Sequence, residues 1–357
     1  MLRPATVLVA AVHVACGVQQ LTFVGPGALE WREVADARVE KPADVLVRPV
    51  AVATCDLDTA FVTGEAPVAG PFAFGHEFIA DVVETGGEVV SVGVGDRVVV
   101  PFQIGCGACA RCTAGLTGSC QAVSFLSAYG LAPLSRTEWG GALSDLVRVP
   151  FADAMCLPLP SGLDPVAVAS VGDNIPDGYR AVAPGLAAHP GAPVLVLGGA
   201  GAGSVGLYAA GIAVALGSAQ VDYVDTDDAR GAAAGKLGAR PCERVPDDSE
   251  RAYPVVVHHT GSREQLTAAL RAVEPGGVCV STGIMFEPET PIPLFEMYST
   301  GVTLTTGRVN ARATIPAVFE LLATTDFRPE LVTRTTASWS DAADVLAAHT
   351  HKTVISR

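Results

Sequence analysis

Charged side chains are scarce in this chain, and the basic ones are outnumbered by the acidic ones. Only 17% of the 357 residues are charged, with 23 Lys and Arg against 37 Asp and Glu, and the formal net charge is −14. Nucleic-acid binding requires a basic face. The acidic balance of this chain therefore argues against a nucleic acid as the main partner. Apolar residues make up 49% of the chain. This content excludes a disordered chain, because disordered chains contain too few apolar residues to form a core.

The chain also lacks an internal repeat, a low-complexity segment and an apolar run long enough to cross a bilayer. The apolar stretch near the N-terminus is interrupted by His13. It is shorter than the roughly 20 residues that a membrane-spanning helix needs, and it has no clean small-residue cleavage site for secretion. We therefore expect no membrane partner, and we interpret residues 1–18 as a leader of uncertain structure.

Two different patterns divide the 357 residues, a length that is typical of two domains. Up to about Pro150, short β-rich runs alternate with turns, which predicts an all-β region, with a barrel as one arrangement. From about Asp164, apolar strands alternate with helical stretches, which predicts a doubly wound parallel sheet. Its predicted strands cover residues 193–197, 221–224, 254–257 and 278–281. A last helix at residues 315–323 and a run at residues 352–356 are predicted to return to the first region.

A glycine-rich turn follows the predicted strand at residues 193–197. Residues 201–206 form a GxGxxG motif that leads directly into a helical pattern. Glycines at these positions let backbone N–H groups approach a pyrophosphate at a helix N-terminus, and they let helix and strand pack closely. The alternative is a glycine turn in an unrelated α/β sheet. The motif predicts a dinucleotide site formed by Gly201, Gly203, Ser204, Val205 and Gly206.

An acidic residue ends the next predicted strand, at Asp225. A carboxylate there can accept hydrogen bonds from both ribose hydroxyls of NAD, and it would repel the 2′-phosphate of NADP. Arg230 lies just beyond and is placed to contact a phosphate, so we include it among the predicted cofactor-binding residues. The sequence therefore predicts NAD(H) as the cofactor in preference to NADP(H).

Four of the nine cysteines are clustered in a C-x2-C-x2-C-x7-C pattern. Such short spacings are typical of a tetrahedral thiolate site that is closed to water. Disulfide pairs are the alternative in an oxidising compartment, whereas cytosolic thiols stay reduced. An iron–sulfur cluster also takes four cysteines, but the short ferredoxin runs space them differently. We predict a structural zinc site formed by Cys106, Cys109, Cys112 and Cys120.

A second set of metal-ligating residue types is scattered along the chain. Cys55 has acidic neighbours, His76 stands in a Gly-His-Glu element, and Asp173 lies far downstream. One Cys, one His and one carboxylate would form a zinc site with an open fourth position, the arrangement of catalytic zinc sites. Spacing alone gives this site little support, because a lone His or Cys is usually a packing residue.

Taken together, these elements resemble the zinc-dependent medium-chain alcohol dehydrogenases, part of the medium-chain dehydrogenase/reductase superfamily. The resemblance runs from about Gln19 to Arg357 and includes the elements at residues 75–77, 106–120, 140–142 and 201–206. It implies an α/β fold with a GroES-like β-barrel catalytic domain at residues 19–165 and 308–357. It also implies a Rossmann NAD-binding domain at residues 166–307, with the active site in the cleft between the two.

The resemblance also implies a role for each residue of the scattered set. Cys55, His76 and Asp173 fall on the ligands of a catalytic zinc, the last at a position where formaldehyde dehydrogenase-like members have Asp. Glu77 falls on an acidic neighbour that approaches the metal or supports its ligands. Asp58 falls on a carboxylate that orients the His ligand. With the four cysteines, this predicts two zinc ions per chain, one catalytic and one structural.

Two positions depart from the family pattern. Leu57 stands where the family usually has a Ser or Thr hydroxyl that carries the alcohol proton away, and Ala60 stands near a histidine of the same relay. A reductase of iminium or activated C=C bonds needs no such relay, so it is one alternative function. A catalytically silent protein that binds NAD and zinc is another.

The first hypothesis is a cytoplasmic zinc oxidoreductase. It would transfer hydride between a nicotinamide cofactor and a small-molecule alcohol or carbonyl substrate. Because family members are dimers or tetramers, we expect a homodimer or homotetramer.

Overall fold

The apolar patterns form sixteen strands and eleven α-helices in the computed structural model, which describes residues 17–199, 201–246, 251–348 and 351–357. Residues 1–16, and with them most of the predicted leader, lie outside the described residues. The strands are β1 (Val18–Gly25), β2 (Ala28–Val34), β3 (Val45–Ala53), β4 (Phe72–Ala73), β5 (Glu77–Thr85), β6 (Arg97–Val100), β7 (Val147–Val149), β8 (Leu157–Pro158), β9 (Val194–Leu197), β10 (Val221–Val224), β11 (Arg240–Cys242), β12 (Tyr253–His258), β13 (Val273–Ser281), β14 (Thr303–Thr306), β15 (Thr335–Ser338) and β16 (Thr353–Ser356). The helices are α1 (Asp56–Thr63), α2 (Ala110–Thr113), α3 (Ala132–Ser135), α4 (Ala152–Met155), α5 (Asn174–Ala188), α6 (Ser204–Ala215), α7 (Asp228–Lys236), α8 (Arg263–Ala272), α9 (Leu294–Thr300), α10 (Ala311–Thr324) and α11 (Ala342–Ala347).

The first half of the chain and its C-terminal end build two mainly antiparallel sheets. The smaller sheet has the order β2-β1-β4, and the larger one has the order β15-β16-β3-β5-β6-β8, with β7 also paired to β3. Strand β16 pairs with β3, with Val354 opposite Ala53. The predicted return of the C-terminal run to the first region is therefore confirmed. Side chains of both sheets, including Phe23, Phe72 and Phe78, share one core.

The third sheet is parallel and has the order β11-β10-β9-β12-β13-β14. The chain enters this sheet at β9, in the middle. It adds β10 and β11 on one side and then β12, β13 and β14 on the other, which is the predicted doubly wound arrangement. Helix α6 is buried on nearly all sides, and its Tyr208 and Ile212 share a core with Val194 and Val196 of β9. Ligands of such sheets bind at the carboxyl ends of the strands where the order reverses, which here is between β9 and β12.

Helix α5 joins the antiparallel and parallel parts of the molecule. It packs against α6, while the short turn of residues 169–172 that precedes it packs against β5. Asp173, between that turn and α5, is therefore held at the junction of the two parts. Among the described helices, none combines the length and the apolar character needed to cross a membrane.

Candidate active site

The four clustered cysteines come together as the sequence pattern predicted. The Sγ atoms of Cys106, Cys109, Cys112 and Cys120 lie within 4.8 Å of one another, and we call residues 106–120 the zinc loop. Backbone N–H groups point at the sulfurs, among them the Gln121 N–H at 3.4 Å from the Cys109 Sγ. These hydrogen bonds, that of Gln121 foremost, lower the pKa of Cys109 to about 6. At Cys109 the loop thus favours a thiolate, which is the form that binds zinc, whereas burial raises the pKa of Cys112 to about 12.

Three separate segments bring the scattered residues together. Cys55 follows β3 and is the N-cap residue of α1. His76 and Glu77 lie at the start of β5, which pairs with β3 so that Ala53 is opposite Glu77. One potential ligand atom from each of four residues lies within 4.8 Å of the others. We call these residues the central cluster: Cys55, His76, Glu77 and Asp173.

Acidic groups are concentrated in the buried central cluster. His76 is 1% exposed and Glu77 is fully buried. Burial raises the pKa of the Cys55 thiol well above its ordinary value, and the carboxylate of Asp173 raises it further. Burial likewise raises the pKa of Glu77 to about 8. A divalent cation reverses such shifts, and a thiolate, an imidazole and a carboxylate are ligands that zinc prefers, so the donor set fits zinc.

Asp58 is placed to orient the imidazole of His76. One oxygen of Asp58 accepts the Cys55 N–H at 2.9 Å, and the other lies 3.5 Å from His76 Nδ1. On the far side of the ring, His76 Nε2 lies 3.5 Å from an oxygen of Asp173. Burial opposes the charged imidazole, but Asp58 and Asp173 outweigh it and raise the pKa of His76 to about 9. Asp58 thus lies on the side of the ring away from the cluster, the position from which a carboxylate orients a metal-binding histidine.

Lys352 is a component of the site that the sequence patterns did not indicate. Its ammonium group is buried, lies 3.0 Å from a carboxylate oxygen of Glu77, and also donates to Asn174 Oδ1 at 3.0 Å and to the carbonyl of Thr54. Burial opposes the charge on Lys352, but Glu77 outweighs that effect and raises its pKa above the ordinary value. The partners lie far apart in the sequence, and no local signal could have identified the pair.

The glycine turn has the geometry that the motif predicted. Gly203 has φ +73° and is the N-cap residue of α6, so it offers no side chain to the first turn of that helix. A Cβ on Gly206 would lie 3.4 Å from the Cα of Gly198 in the loop after β9. Residues 201–206, which we call the phosphate turn, therefore combine close helix–strand packing with a helix N-terminus, as a dinucleotide requires.

A carboxylate from the other part of the molecule lies at the phosphate turn. Asp56, next to Cys55, accepts the Ser204 N–H at 2.9 Å, the Ser204 hydroxyl at 2.8 Å and the Val205 N–H at 3.2 Å. Its second oxygen lies 2.9 Å from Nε2 of His259. Burial favours the protonated form of Asp56, but the His259 hydrogen bond outweighs it and lowers the pKa of Asp56. Neither Asp56 nor His259 is among the predicted site residues.

Asp225 and Arg230 form a pair rather than two free contacts for a cofactor. The guanidinium of Arg230 binds both oxygens of Asp225, at 2.7 and 2.8 Å. The Tyr223 hydroxyl and the Asp227 N–H each donate to Asp225 as well, both at 2.9 Å. The neighbouring cation thus engages both oxygens of Asp225 in this conformation, and the role of Asp225 at the ribose hydroxyls stays a prediction.

Comparison with known proteins supports the same interpretation. Residues 41–161 match the alcohol dehydrogenase GroES-like domain, and residues 204–324 match the zinc-binding dehydrogenase domain. A probable zinc-binding alcohol dehydrogenase of Mycobacterium tuberculosis is 30% identical over 304 residues, covering 84% of this chain and 76% of that protein. A glutathione-independent formaldehyde dehydrogenase of Pseudomonas aeruginosa is 31% identical over 285 residues, covering 76% of this chain and 66% of that protein.

The fold agrees with these sequence matches. The alcohol dehydrogenase TADH from Thermus sp. ATN1 superposes with a TM-score of 0.84 at 28% identity, covering 95% of this chain and 99% of that chain. The matches do not favour the two alternative functions considered from the sequence. The chain belongs to the zinc-dependent alcohol dehydrogenases of the medium-chain dehydrogenase/reductase superfamily, oxidoreductases that act on alcohols or carbonyls with zinc and a nicotinamide cofactor.

Proposed function

We propose that this protein interconverts an alcohol and a carbonyl compound at a zinc ion held by Cys55, His76 and Asp173. The observation that carries the proposal is the approach of these buried donor atoms to within 4.8 Å of one another from three separate segments. When bound, zinc supplies Lewis acidity toward the substrate oxygen, and the nicotinamide cofactor supplies or accepts the hydride.

The residues around the donors hold them in place. Asp58 faces Nδ1 of the His76 ring at 3.5 Å, where a small closure would let it orient the ring, and Nε2 faces the cluster. Lys352, which also donates to Asn174, holds Glu77 beside the ligands, where its carboxylate would balance the charge of the metal. Phe102 packs 5.7 Å from the His76 ring and keeps water away from that side.

Leu57 gives the site a different proton path from that of its relatives. Its side chain is hydrocarbon and 9% exposed, at the position where the family resemblance places a proton-carrying hydroxyl. The substrate proton therefore leaves through another group. Replacing Leu57 by Ser is expected to speed alcohol oxidation, and an unchanged rate would show that a hydroxyl there has no role.

We propose a second, structural zinc ion in the zinc loop. The support is the four-sulfur donor set, which has two half-exposed and two buried cysteines and is separate from the central cluster. A site with four protein ligands has no open position for substrate, so this ion stabilises the loop and takes no part in the chemistry.

We propose NAD(H) as the preferred cofactor, because the charge of Arg230 is already neutralised. Asp225 is 1% exposed at its side chain and binds Arg230 through both oxygens. Asp227 lies 3.9 Å from the same guanidinium. A 2′-phosphate would enter a region where carboxylates outnumber cations. NADH is expected to bind at least about tenfold more tightly than NADPH, and equal affinities by fluorescence titration would contradict the proposal.

We also propose that the chain forms a homodimer or homotetramer through the outer edge of the parallel sheet. Strand β14 has no partner on its outer side among the described strands. Helix α9 nearby exposes Leu294, Phe295 and Tyr298 by 67%, 81% and 85%. An apolar patch beside an open strand edge is typical of an interface. Phe295→Glu is expected to lower the mass measured by light scattering, and a monomeric wild type would contradict the proposal.

The domain division proposed from the sequence follows the sheets. Residues 19–165 and 308–357 contain the strands of the two antiparallel sheets and would form the catalytic domain, and residues 166–307 contain the six parallel strands. A cytoplasmic location remains part of the proposal, because zinc-binding thiols require a reducing compartment.

The proposed activity is tested by NADH oxidation with a panel of aldehydes and ketones. We expect turnover by the wild type, retained turnover in Cys279→Ala, which removes a buried thiol outside both clusters, and loss of turnover in Cys55→Ala. Activity restricted to iminium or enone substrates would contradict the proposal.

A further inference from the structure

The phosphate turn holds an anion supplied by the chain itself. Helix α6 begins at Ser204 after a glycine N-cap, so its first N–H groups have no partner from their own segment. The carboxylate of Asp56 takes the N–H groups of Ser204 and Val205, together with the Ser204 hydroxyl. Asp56 thus caps a helix that begins 148 residues later in the chain.

Two further contacts fix Asp56 in this place. The carboxylate lies 2.9 Å from Nε2 of His259, whose Nδ1 is in turn 2.9 Å from the Thr282 hydroxyl. The backbone of Asp56 lies close as well, since a Cβ on Gly201 would be 2.7 Å from the Asp56 carbonyl oxygen. The Asp56 side chain is 11% exposed. The contact is therefore a buried, fully hydrogen-bonded junction between α1 and the phosphate turn.

A dinucleotide needs the same hydrogen-bond donors. The pyrophosphate of NAD binds at the N-terminus of the helix that follows a GxGxxG turn, where it accepts backbone N–H bonds. The Asp56 carboxylate and a phosphate cannot occupy the Ser204 and Val205 donors together. They also repel each other, since both are negative and the site is largely shielded from water.

We propose that Asp56 is an internal competitor of the cofactor's pyrophosphate and that its displacement sets the affinity of this protein for dinucleotides. The inference rests on the proposed function, because it assumes that a dinucleotide binds at residues 201–206. The apparent dissociation constant equals the intrinsic one divided by the fraction of molecules in which Asp56 has left the turn, so it rises as that fraction falls. His259, released from Asp56, then faces the phosphate as a hydrogen-bond donor.

The position of Asp56 couples this displacement to the metal site. Asp56 is the first residue of α1, and Cys55 is the N-cap residue of the same helix. Movement of Asp56 away from the phosphate turn therefore changes the segment that presents the Cys55 sulfur. Zinc content has to be measured beside cofactor affinity so that the two effects are separated.

The test compares wild type, Asp56→Ala and Asp56→Asn by fluorescence titration with NADH, at equal zinc content measured by atomic emission. Asp56→Ala is expected to bind NADH at least about tenfold more tightly. Asp56→Asn keeps the shape and removes the charge, so it is expected to fall between the two. Asp153→Ala is the matched control, because that exposed carboxylate also accepts two backbone N–H bonds and lies outside the phosphate turn.

Fragments of the cofactor show which of its groups competes with Asp56. ADP-ribose carries the pyrophosphate and is expected to gain affinity in Asp56→Ala as NADH does, whereas adenosine carries no phosphate and is expected to bind unchanged. Unchanged or weaker NADH binding in both Asp56 variants, with the wild type binding normally, would overturn the inference. Absence of NADH and NADPH binding in the wild type and in every variant would overturn the proposed function itself, and the inference with it.

Discussion

The two metal-ligating clusters differ in how they are assembled. The zinc loop takes all its potential ligands from residues 106–120, whereas the central cluster brings together residues 55, 76, 77 and 173 from three separate segments. Cys106 and Cys109 are half-exposed, and His76 and Glu77 are buried. One cluster forms within a single loop, and the other exists only after two paired strands and the segment before α5 have packed together.

The surroundings of the two clusters differ in the same way. The sulfurs of the zinc loop are supported by backbone N–H groups of the loop and of Gln121, the residue that follows it. The central cluster is supported by side chains from distant segments, among them Asp58 and Lys352. The central cluster thus depends on the whole fold, whereas the zinc loop depends on one segment. Substitutions in the two clusters are therefore expected to have separable effects.

The largest effect is expected at the central cluster, from His76→Ala. Removal of one of three ligands should lower kcat/KM at least about 10³-fold, since metal polarisation contributes several kcal/mol. Zinc content should fall from two ions per chain to one. His189→Ala makes the same chemical change at an exposed position and should leave activity unchanged. Full activity in His76→Ala would show that the cluster is not the catalytic site.

The next largest effect is expected from Lys352→Met, which leaves Glu77 buried without its cation. We expect a loss of about 3–5 kcal/mol in the free energy of unfolding, measured with urea, because an unpaired buried charge is strongly destabilising. Part of the loss should return in the double variant Lys352→Met/Glu77→Gln. Arg97→Met breaks an exposed ion pair with Asp81 and should cost less than about 1 kcal/mol. Equal losses in both single variants would contradict the buried-pair account.

A smaller effect is expected from Asp58→Asn, which keeps the shape but removes the charge behind His76. Zinc affinity at the central cluster should fall about 10–100-fold, as measured by competition with a fluorescent chelator. Zinc in the loop should be unaffected, and Asp81→Asn should change neither site. If Asp58→Asn retained both ions with unaltered affinity, Asp58 would have no orienting role.

The smallest effect on catalysis is expected from Cys112→Ser in the zinc loop. Because the loop shares no ligand with the central cluster, kcat/KM per folded molecule should stay within about threefold of the wild type. The thermal midpoint should fall, since the binding energy of a structural metal is folding energy. A drop in kcat/KM as large as that of His76→Ala would erase the distinction between the two clusters.

The same contrast decides how much the sequence could predict. Four cysteines at short spacing predict their own cluster, and alternating strands and helices predict the parallel sheet, because both are local patterns. Cys55, His76 and Asp173 could be assigned only through the family resemblance. No pattern within either segment relates Lys352 to Glu77, since that contact depends on the pairing of β16 with β3.

The sequence also could not predict which side chains of the chain itself contact the proposed cofactor site. The phosphate turn and Asp225 were predicted from their positions relative to strands. That Arg230 would bind both oxygens of Asp225 follows from the side-chain conformations at the start of α7. That Asp56 would lie at the turn follows from how two parts of the molecule meet. In both cases a sequence motif predicts where a site lies, and the packing of the folded chain determines which neighbouring side chains contact it.

X-ray absorption at the zinc edge tests the central claim most directly, by comparing the wild type with Cys55→Ser. The account predicts two zinc ions in the wild type, with sulfur ligands at about 2.3 Å and nitrogen or oxygen ligands at about 2.0–2.1 Å. Cys55→Ser should retain one ion with four sulfur ligands only. Two ions with an unchanged spectrum in that variant would contradict the account.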